Sequence, residues 1–267
     1  MTITINKIDY NIPGLNTKNW KDGISWIKYI TDKSPRNRSI KNIVFHTQEG
    51  LISKLLSGSG PNTTTDEALA RYQVNTERQV SWDYTVDLNG DVIGQNDPAV
   101  DYSWQAGFVN PSALGIEMVQ QNKEGIRYLY EEQIKKTVLL IDFLTAALGI
   151  QRQIPWDKIN NKPVLTQIQR IINFNDFIGI VGHVQLTRDR GKGDPGEHIF
   201  YALKEAGYEC FDLSLKEDLE IWKTRQKNLG LETQDGIPGQ QTTQALKAKG
   251  HKNGMWVQRP IDQQLNF

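Results

Sequence analysis

The chain has 267 residues, which suits one catalytic-sized domain with a small module and is long enough to bury a sizeable core. Lys plus Arg and Asp plus Glu both total 31, so no global field argues for nucleic acid or an anionic membrane as partner. A single cysteine, Cys210, excludes an intramolecular disulfide framework; with no signal-peptide pattern and no run of roughly 18 apolar residues, the expectation is a chain made in the cytoplasm without an export signal or membrane span.

In chain order, "IKNIVFHT" (40–47) predicts a short apolar strand ending in His46, and "DEALARYQV" (66–74) predicts a helix behind the threonine-rich "NTTTD". "VSWDYTVDLNGDVIGQ" (80–95) alternates, breaks at Asn89-Gly90 and resumes, which is a hairpin signal. "SALGIEMVQ" (112–120) is a second apolar strand, with Glu117 among apolar neighbours. The longest helix is expected over 130–149, with Ile134, Val138, Ile141 and Leu148 on one face, interrupted by Thr145 and ended by Gly149. "FIGIVGH" (177–183) is a buried strand, and "PGEHIFYALKEAG" (195–207) is a helix opened by Pro and closed by Gly. Strands and helices interleave through 207, so the class is α/β with a mixed central sheet flanked by helices. The first 39 residues and 150–176 read as decoration around that core.

Past about 213 the pattern becomes helix, Gly and Asp-Gly turn, helix, the second helix running from about Gln240 to Lys249. Its apolar residues Leu219, Ile221, Trp222, Leu229, Leu231, Ile237 and Leu246 suffice for a small all-α module. The division is therefore 1–212 and 213–267, the boundary falling between 208 and 216.

His46 and His183 each end an apolar strand, and Asp194 follows on a glycine-rich loop able to fold back toward His183. Two imidazoles and a carboxylate form a three-ligand zinc set with a fourth position for water. Spacing alone leaves a second reading open, in which the histidines are structural and Asp-Pro-Gly merely opens a helix. "DLNGD" (87–91) has its glycine misplaced for a calcium loop and reads as a hairpin turn. No phosphate-cradling glycine loop and no serine-hydrolase elbow is present.

Five motifs taken in order decide between the readings: "IVFHTQEG" (43–50), the 80–95 hairpin, "WQAG" (104–107), "NPSALGIEMV" (110–119) and "GHVQLTRDRGKGDPG" (182–196). Together they resemble the type 2 N-acetylmuramoyl-L-alanine amidases and the related peptidoglycan recognition proteins, over roughly 40–205. The resemblance implies zinc on His46, His183 and Asp194, a catalytic role for Glu117 and Lys192, and substrate contacts from Trp82, Asp83, Trp104 and Asn110. Zinc lowers the pKa of bound water toward roughly 7. Burial among Ile116, Met118 and Val119 can raise Glu117 into the range of a general base that then protonates the leaving amine, while Lys192 can hold the developing oxyanion.

The departures fall around the cleft. Members usually carry His at the positions of Asp83 and Gln105, the interval from His183 to Asp194 is one residue longer than the commonest, and Trp82 stands where some phage members have a catalytic tyrosine. The segment "LGLETQDGIPGQQTTQAL" is similar to the small helical peptidoglycan-binding module, with Pro238 replacing its common aromatic. The implied activity is hydrolysis of the amide between the muramyl lactyl group and L-alanine of peptidoglycan by a monomer, as an endolysin-like enzyme or a released effector acting on the wall. Two alternatives compete: a non-catalytic recognition protein of the same fold, and a zinc peptidase cutting stem peptides.

Overall fold

The computed structural model describes residues 2–48, 65–123, 126–168, 172–187, 194–214, 216–236 and 240–249, with backbone alone at 121–123, 126–128, 216–221, 240, 243 and 247. Chain order begins with β1 (Ile3–Ile5), β2 (Ile8–Tyr10), β3 (Thr17–Asn19), β4 (Lys33–Pro35), β5 (Asn42–Thr47), α1 (Thr65–Asn75), β6 (Tyr84–Val86), β7 (Val92–Gly94), β8 (Asp101–Ser103) and β9 (Ala113–Met118). It continues with β10 (Gln121–Lys123), β11 (Ile126–Tyr128), α2 (Glu131–Leu148), β12 (Gln153–Asp157), β13 (Lys162–Pro163), β14 (Gly179–Gly182), α3 (His198–Glu205) and β15 (Glu209–Asp212). Two helices follow among the described residues, α4 (Lys216–Asn228) and α5 (Gln240–Ala248).

The central sheet has six strands in the order β14-β5-β9-β6-β7-β3. β14, β5, β9 and β6 pair in parallel, β6 turns back antiparallel into β7 at the predicted hairpin, and β3 adds in parallel at the edge. This is the mixed sheet that the interleaved pattern predicts. Alternation along the strands divides its faces. Ile43, Phe45, Leu114, Ile116 and Met118 enter one core with Leu140, Ile141 and Leu144 of α2 and Ile199, Phe200 and Leu203 of α3. Val44, Ala113 and Val181 face the other way, against Val109, Phe174, Phe177 and Leu186.

Three expectations are corrected. The buried stripe of α2 runs through Gln133, Thr137, Leu140, Ile141, Leu144 and Thr145, whereas Ile134, Val138 and Leu148 are only partly buried. Polar residues can occupy that stripe because they are bonded: Gln133 Nε2 donates to the carbonyls of Val119 (2.7 Å) and Val86 (3.3 Å), and Thr137 Oγ1 donates to Gln133 O (2.7 Å). The first 39 residues are part of the framework, since β3 completes the sheet, β4 pairs with β8, and Ile3, Ile5, Ile12 and Leu15 join the main core. Likewise 150–176 supplies β12 and β13 of a three-stranded sheet completed by β15, with Ile154 and Trp156 fully buried.

β15 and Leu213, whose amide donates to Trp156 O at 2.7 Å, lie with the larger unit. α4 and α5 enclose a separate small cluster of Trp222, Leu229 and Leu246, clasped by the buried Gln226 carboxamide between Asp235 Oδ1 (2.9 Å) and the Gly236 amide (2.7 Å). Of the apolar residues expected in that module, Leu219, Ile221 and Ile237 have side chains outside the described residues. Among the described residues no helix is long and apolar enough to cross a membrane.

Candidate metal centre and cleft

Strand register assembles the site. β5 and β9 pair so that His46 stands opposite Glu117, and β6 adds Thr85 opposite Glu117 in the same row. Directly paired residues project from the same face, so His46, Glu117 and Thr85 share one side of the sheet. On the other flank Gly182 pairs with Phe45, which carries the next residue, His183, alongside His46. The two rings meet edge to face with centroids 4.5 Å apart.

Asp194 closes the set. Gly182 allows Pro195 to pack on the strand end, where a Cβ would stand 2.5 Å from Pro195 Cδ. Val184 N donates to Asp194 O (2.8 Å) and Thr47 N to Asp194 Oδ1 (2.9 Å), so both ends of the residue are tied to the strand ends. His46, His183 and Asp194 are 6%, 4% and 1% exposed, and each offers a ligand atom within 4.8 Å of the others. Burial works to raise the Asp194 carboxyl, but His183, His46 and the Thr47 amide more than offset it and hold the group below the ordinary carboxylate range.

The donor set fits a divalent cation. His183 Nδ1 is buried and lies 3.2 Å from Asp194 Oδ2, a spacing that two ligands of one ion can take. Two ligands about 2.1 Å from one tetrahedral ion stand roughly 3.4 Å apart. Two imidazoles and one carboxylate match the preferences of zinc and related transition ions.

Beside His183 opens a cleft of about 800 Å³ lined by Ser34, Arg78, Tyr102, Trp104, Gln105, Phe108, Asn110 and Thr187. Trp104 is half-buried, its indole N–H donating to Ser34 Oγ (3.2 Å), and Asn110 Oδ1 accepts the amides of Gln105 (3.2 Å) and Ala106 (2.7 Å). Both thus line the cleft. Arg78, Tyr102 and the 62% exposed Phe108 line it as well and were not singled out by sequence. Only Phe108, an exposed aromatic directly after "WQAG", carried a usable signal.

Trp82 and Asp83, expected from the sequence to meet substrate, lie in the interior. Trp82 is 5% exposed, packs with Leu69 and Val119, and donates its indole N–H to Thr85 Oγ1 (2.7 Å). Asp83 is wholly buried and accepts from Asn96 Nδ2 (2.5 Å), Gly115 N (2.6 Å) and Ser103 Oγ (2.9 Å). Burial pushes its carboxyl above the ordinary range, against the lowering effect of Arg36 and these donors. Glu117 is half-buried beside His46, and Lys192 lies outside the described residues.

A family model described as N-acetylmuramoyl-L-alanine amidase matches residues 36–197, more than half of the chain and every residue of the metal set. The chain belongs to that amidase family. No curated protein matches it. Among solved structures, the endolysin amidase LysCS from Clostridium intestinale is 15% identical (73% of this chain, 96% of that one, TM-score 0.43). Drosophila peptidoglycan recognition protein LB is 13% identical (74% and 97%, TM-score 0.44), and an endolysin of a Thermus scotoductus bacteriophage 16% (73% and 99%, TM-score 0.41). All three are distant in sequence, so the assignment rests on the family match. As an amidase of this family the chain is an enzyme acting on peptidoglycan, and the row of His46 and Glu117 with His183 and Asp194 forms its candidate hydrolytic centre.

Proposed function

We propose that the chain is a zinc-dependent N-acetylmuramoyl-L-alanine amidase that hydrolyses the bond between the muramyl lactyl group and L-alanine, in an endolysin-like or released-effector role on the cell wall. The observation that carries the zinc assignment is the buried His46, His183 and Asp194 set, whose donor atoms lie within 4.8 Å of one another, with His183 Nδ1 3.2 Å from Asp194 Oδ2. When bound there, the ion supplies Lewis acidity that makes water acidic and polarises a carbonyl.

The chain's own residues do the rest. Glu117, in the row of His46, takes a proton from the attacking water as the carbonyl carbon gains its C–O bond, then delivers it to the departing L-alanine nitrogen as the C–N bond breaks. The products are a lactyl carboxylate and a free α-amine. Lys192, two residues before Asp194, stabilises the oxyanion that forms between the two steps. Trp104 and Asn110 in the cleft meet the substrate beside His183. The helical pair after Ser214 holds the enzyme on polymeric wall, and the working unit is a monomer.

The test joins metal content to product. Wild-type protein is expected to carry one zinc per chain by elemental analysis, His183→Ala less than a tenth of that, and wall digests to show new L-alanine amines that disappear with chelator and return with zinc. Cleavage within the stem peptide would identify a peptidase instead. Zinc bound stoichiometrically by His183→Ala would remove the ligand assignment, and wall binding without any product would favour a recognition protein.

A further inference from the structure

We propose that Gln105 is a positioning residue that fixes His46 in the tautomer a divalent cation requires. The inference rests on the zinc reading above and concerns a side chain at one of the positions where the resembling families usually carry histidine. Gln105 Oε1 lies 2.7 Å from His46 Nε2, and both residues are buried. The contact exists because β9 has no side chain at Gly115. A Cβ there would stand 2.3 Å from Gln105 Oε1 and 2.6 Å from its Cδ, so the carboxamide crosses bare backbone to reach the imidazole.

Both ends of that bridge are fixed. Asn110 Oδ1 gathers the Gln105 and Ala106 amides, which sets the backbone from which the side chain departs. Gly115 is pinned to Asp83 twice, its amide donating to Oδ2 (2.6 Å) and its carbonyl accepting the Asp83 amide (3.0 Å). Gln105 Nε2 is buried and makes no hydrogen bond among the described residues, so the polar contact of this carboxamide is with His46.

Chemistry then selects the tautomer. A carboxamide oxygen only accepts, so the imidazole nitrogen facing it carries the proton, and a neutral ring keeps its lone pair on Nδ1. Turned over, the amide would donate to Nε2 and leave the proton on Nδ1, where it would have to be displaced before that nitrogen could ligate. The two orientations have opposite consequences for metal binding. In the structure the oxygen faces the ring.

The experiment compares wild type with Gln105→Leu and Gln105→Glu. Zinc affinity is read by competition with a chromophoric chelator, the His46 tautomer by long-range proton–nitrogen spectra of the metal-free protein, and folding by thermal unfolding of the metal-free forms. Gln105→Leu is expected to bind zinc about 10- to 100-fold more weakly, the usual effect of losing an outer partner of a metal histidine, with its metal-free unfolding temperature little changed. Gln105→Glu keeps an acceptor and is expected to retain both the Nε2-protonated ring and affinity within a few-fold of wild type. Gln105→Leu binding within threefold of wild type, or His46 protonated on Nδ1 in the wild-type metal-free protein, would overturn the role. If Gln105→Leu does not fold, Gln105→Glu and the wild-type tautomer decide. A wild-type protein that takes up no zinc sinks the metal reading alone, and the His46 spectrum still decides the part played by Gln105.

Discussion

Asp83 is the residue on which an interior and a cleft role can be told apart. Asp83→Ala removes the acceptor of three donors, Asn96 Nδ2, Ser103 Oγ and Gly115 N, at a site with no exposure. Each buried donor left unsatisfied costs about 1–3 kcal/mol, and relaxation or entry of water offsets part, so the expected loss is roughly 3–5 kcal/mol. That is a large share of the about 5–15 kcal/mol by which a domain is stable. Asp83→Asn keeps one oxygen and removes a charge that burial disfavours, so its loss at neutral pH should be about 1–2 kcal/mol. The pH dependence follows from the raised carboxyl. The folded chain holds a proton that the unfolded chain has released, so wild-type stability falls as pH rises from the unfolded value near ~3.9 through the folded value, and Asp83→Asn lacks that fall. Urea titration followed by tryptophan fluorescence, repeated from acid to neutral pH, measures both effects. An Asp83→Ala loss below about 1 kcal/mol, or unchanged stability with a raised KM, would refute the interior role and return Asp83 to substrate binding.

Glu117→Gln should keep stoichiometric zinc and an unchanged unfolding temperature while turnover falls by about 10²- to 10⁴-fold; a loss under threefold would place the base elsewhere. His183→Ala should lose zinc while the metal-free protein stays folded, because the side chain follows β14 rather than packing within it; elemental analysis and circular dichroism report the two. Stopping the chain after Ser214, so that Leu213 stays in the larger core, should weaken pull-down on purified sacculi and leave turnover of a small soluble muramyl peptide within about twofold, since tethering raises effective concentration only on polymer. Equal losses on both substrates from a folded truncation would make the helical pair part of the amidase unit.

The sequence disclosed those parts of the fold whose residues repeat a period, and concealed those too short to show one. β5 and β9 have six residues each and α2 eighteen, long enough for their apolar patterns to be read directly. β3, β4 and β8 have three residues each, which is less than two periods of alternation, so the N-terminal contribution to the sheet was invisible. Apolarity alone does not mark the buried face of α2, because Gln133 is buried by the carbonyls it satisfies at Val86 and Val119. At the site, the clustered His46, His183 and Asp194 were legible as strand ends and an ordered motif. The interior bonding of Asp83 was not legible, because a carboxylate beside a tryptophan gives no sign of the three donors that meet it 13, 20 and 32 residues away.

What places His46, Glu117 and His183 together is pairing register, and this ties the chemistry to the core on the opposite face. A strand that slips by one residue exchanges its two faces, so His46 can stand opposite Glu117 only while Ile43 and Phe45 remain opposite Leu114 and Ile116. Those four side chains are fully buried in the core shared with α2 and α3, and a slip would take the pair on the slipped strand out of that packing and drive it into the differently shaped core on the other face. Losing two such packed side chains, at about 1.5–3 kcal/mol each, exceeds what one hydrogen bond or exposed ion pair near the site could contribute. The alignment of the proposed acid–base group with the proposed metal ligands is therefore set by apolar burial on the far side of the sheet. Asp194 is different, because a loop carries it and the Thr47 and Val184 amides hold it at the strand ends. Weakening those ties should alter metal affinity first, whereas loss of the Ile43 and Phe45 contacts should abolish the fold and the site together.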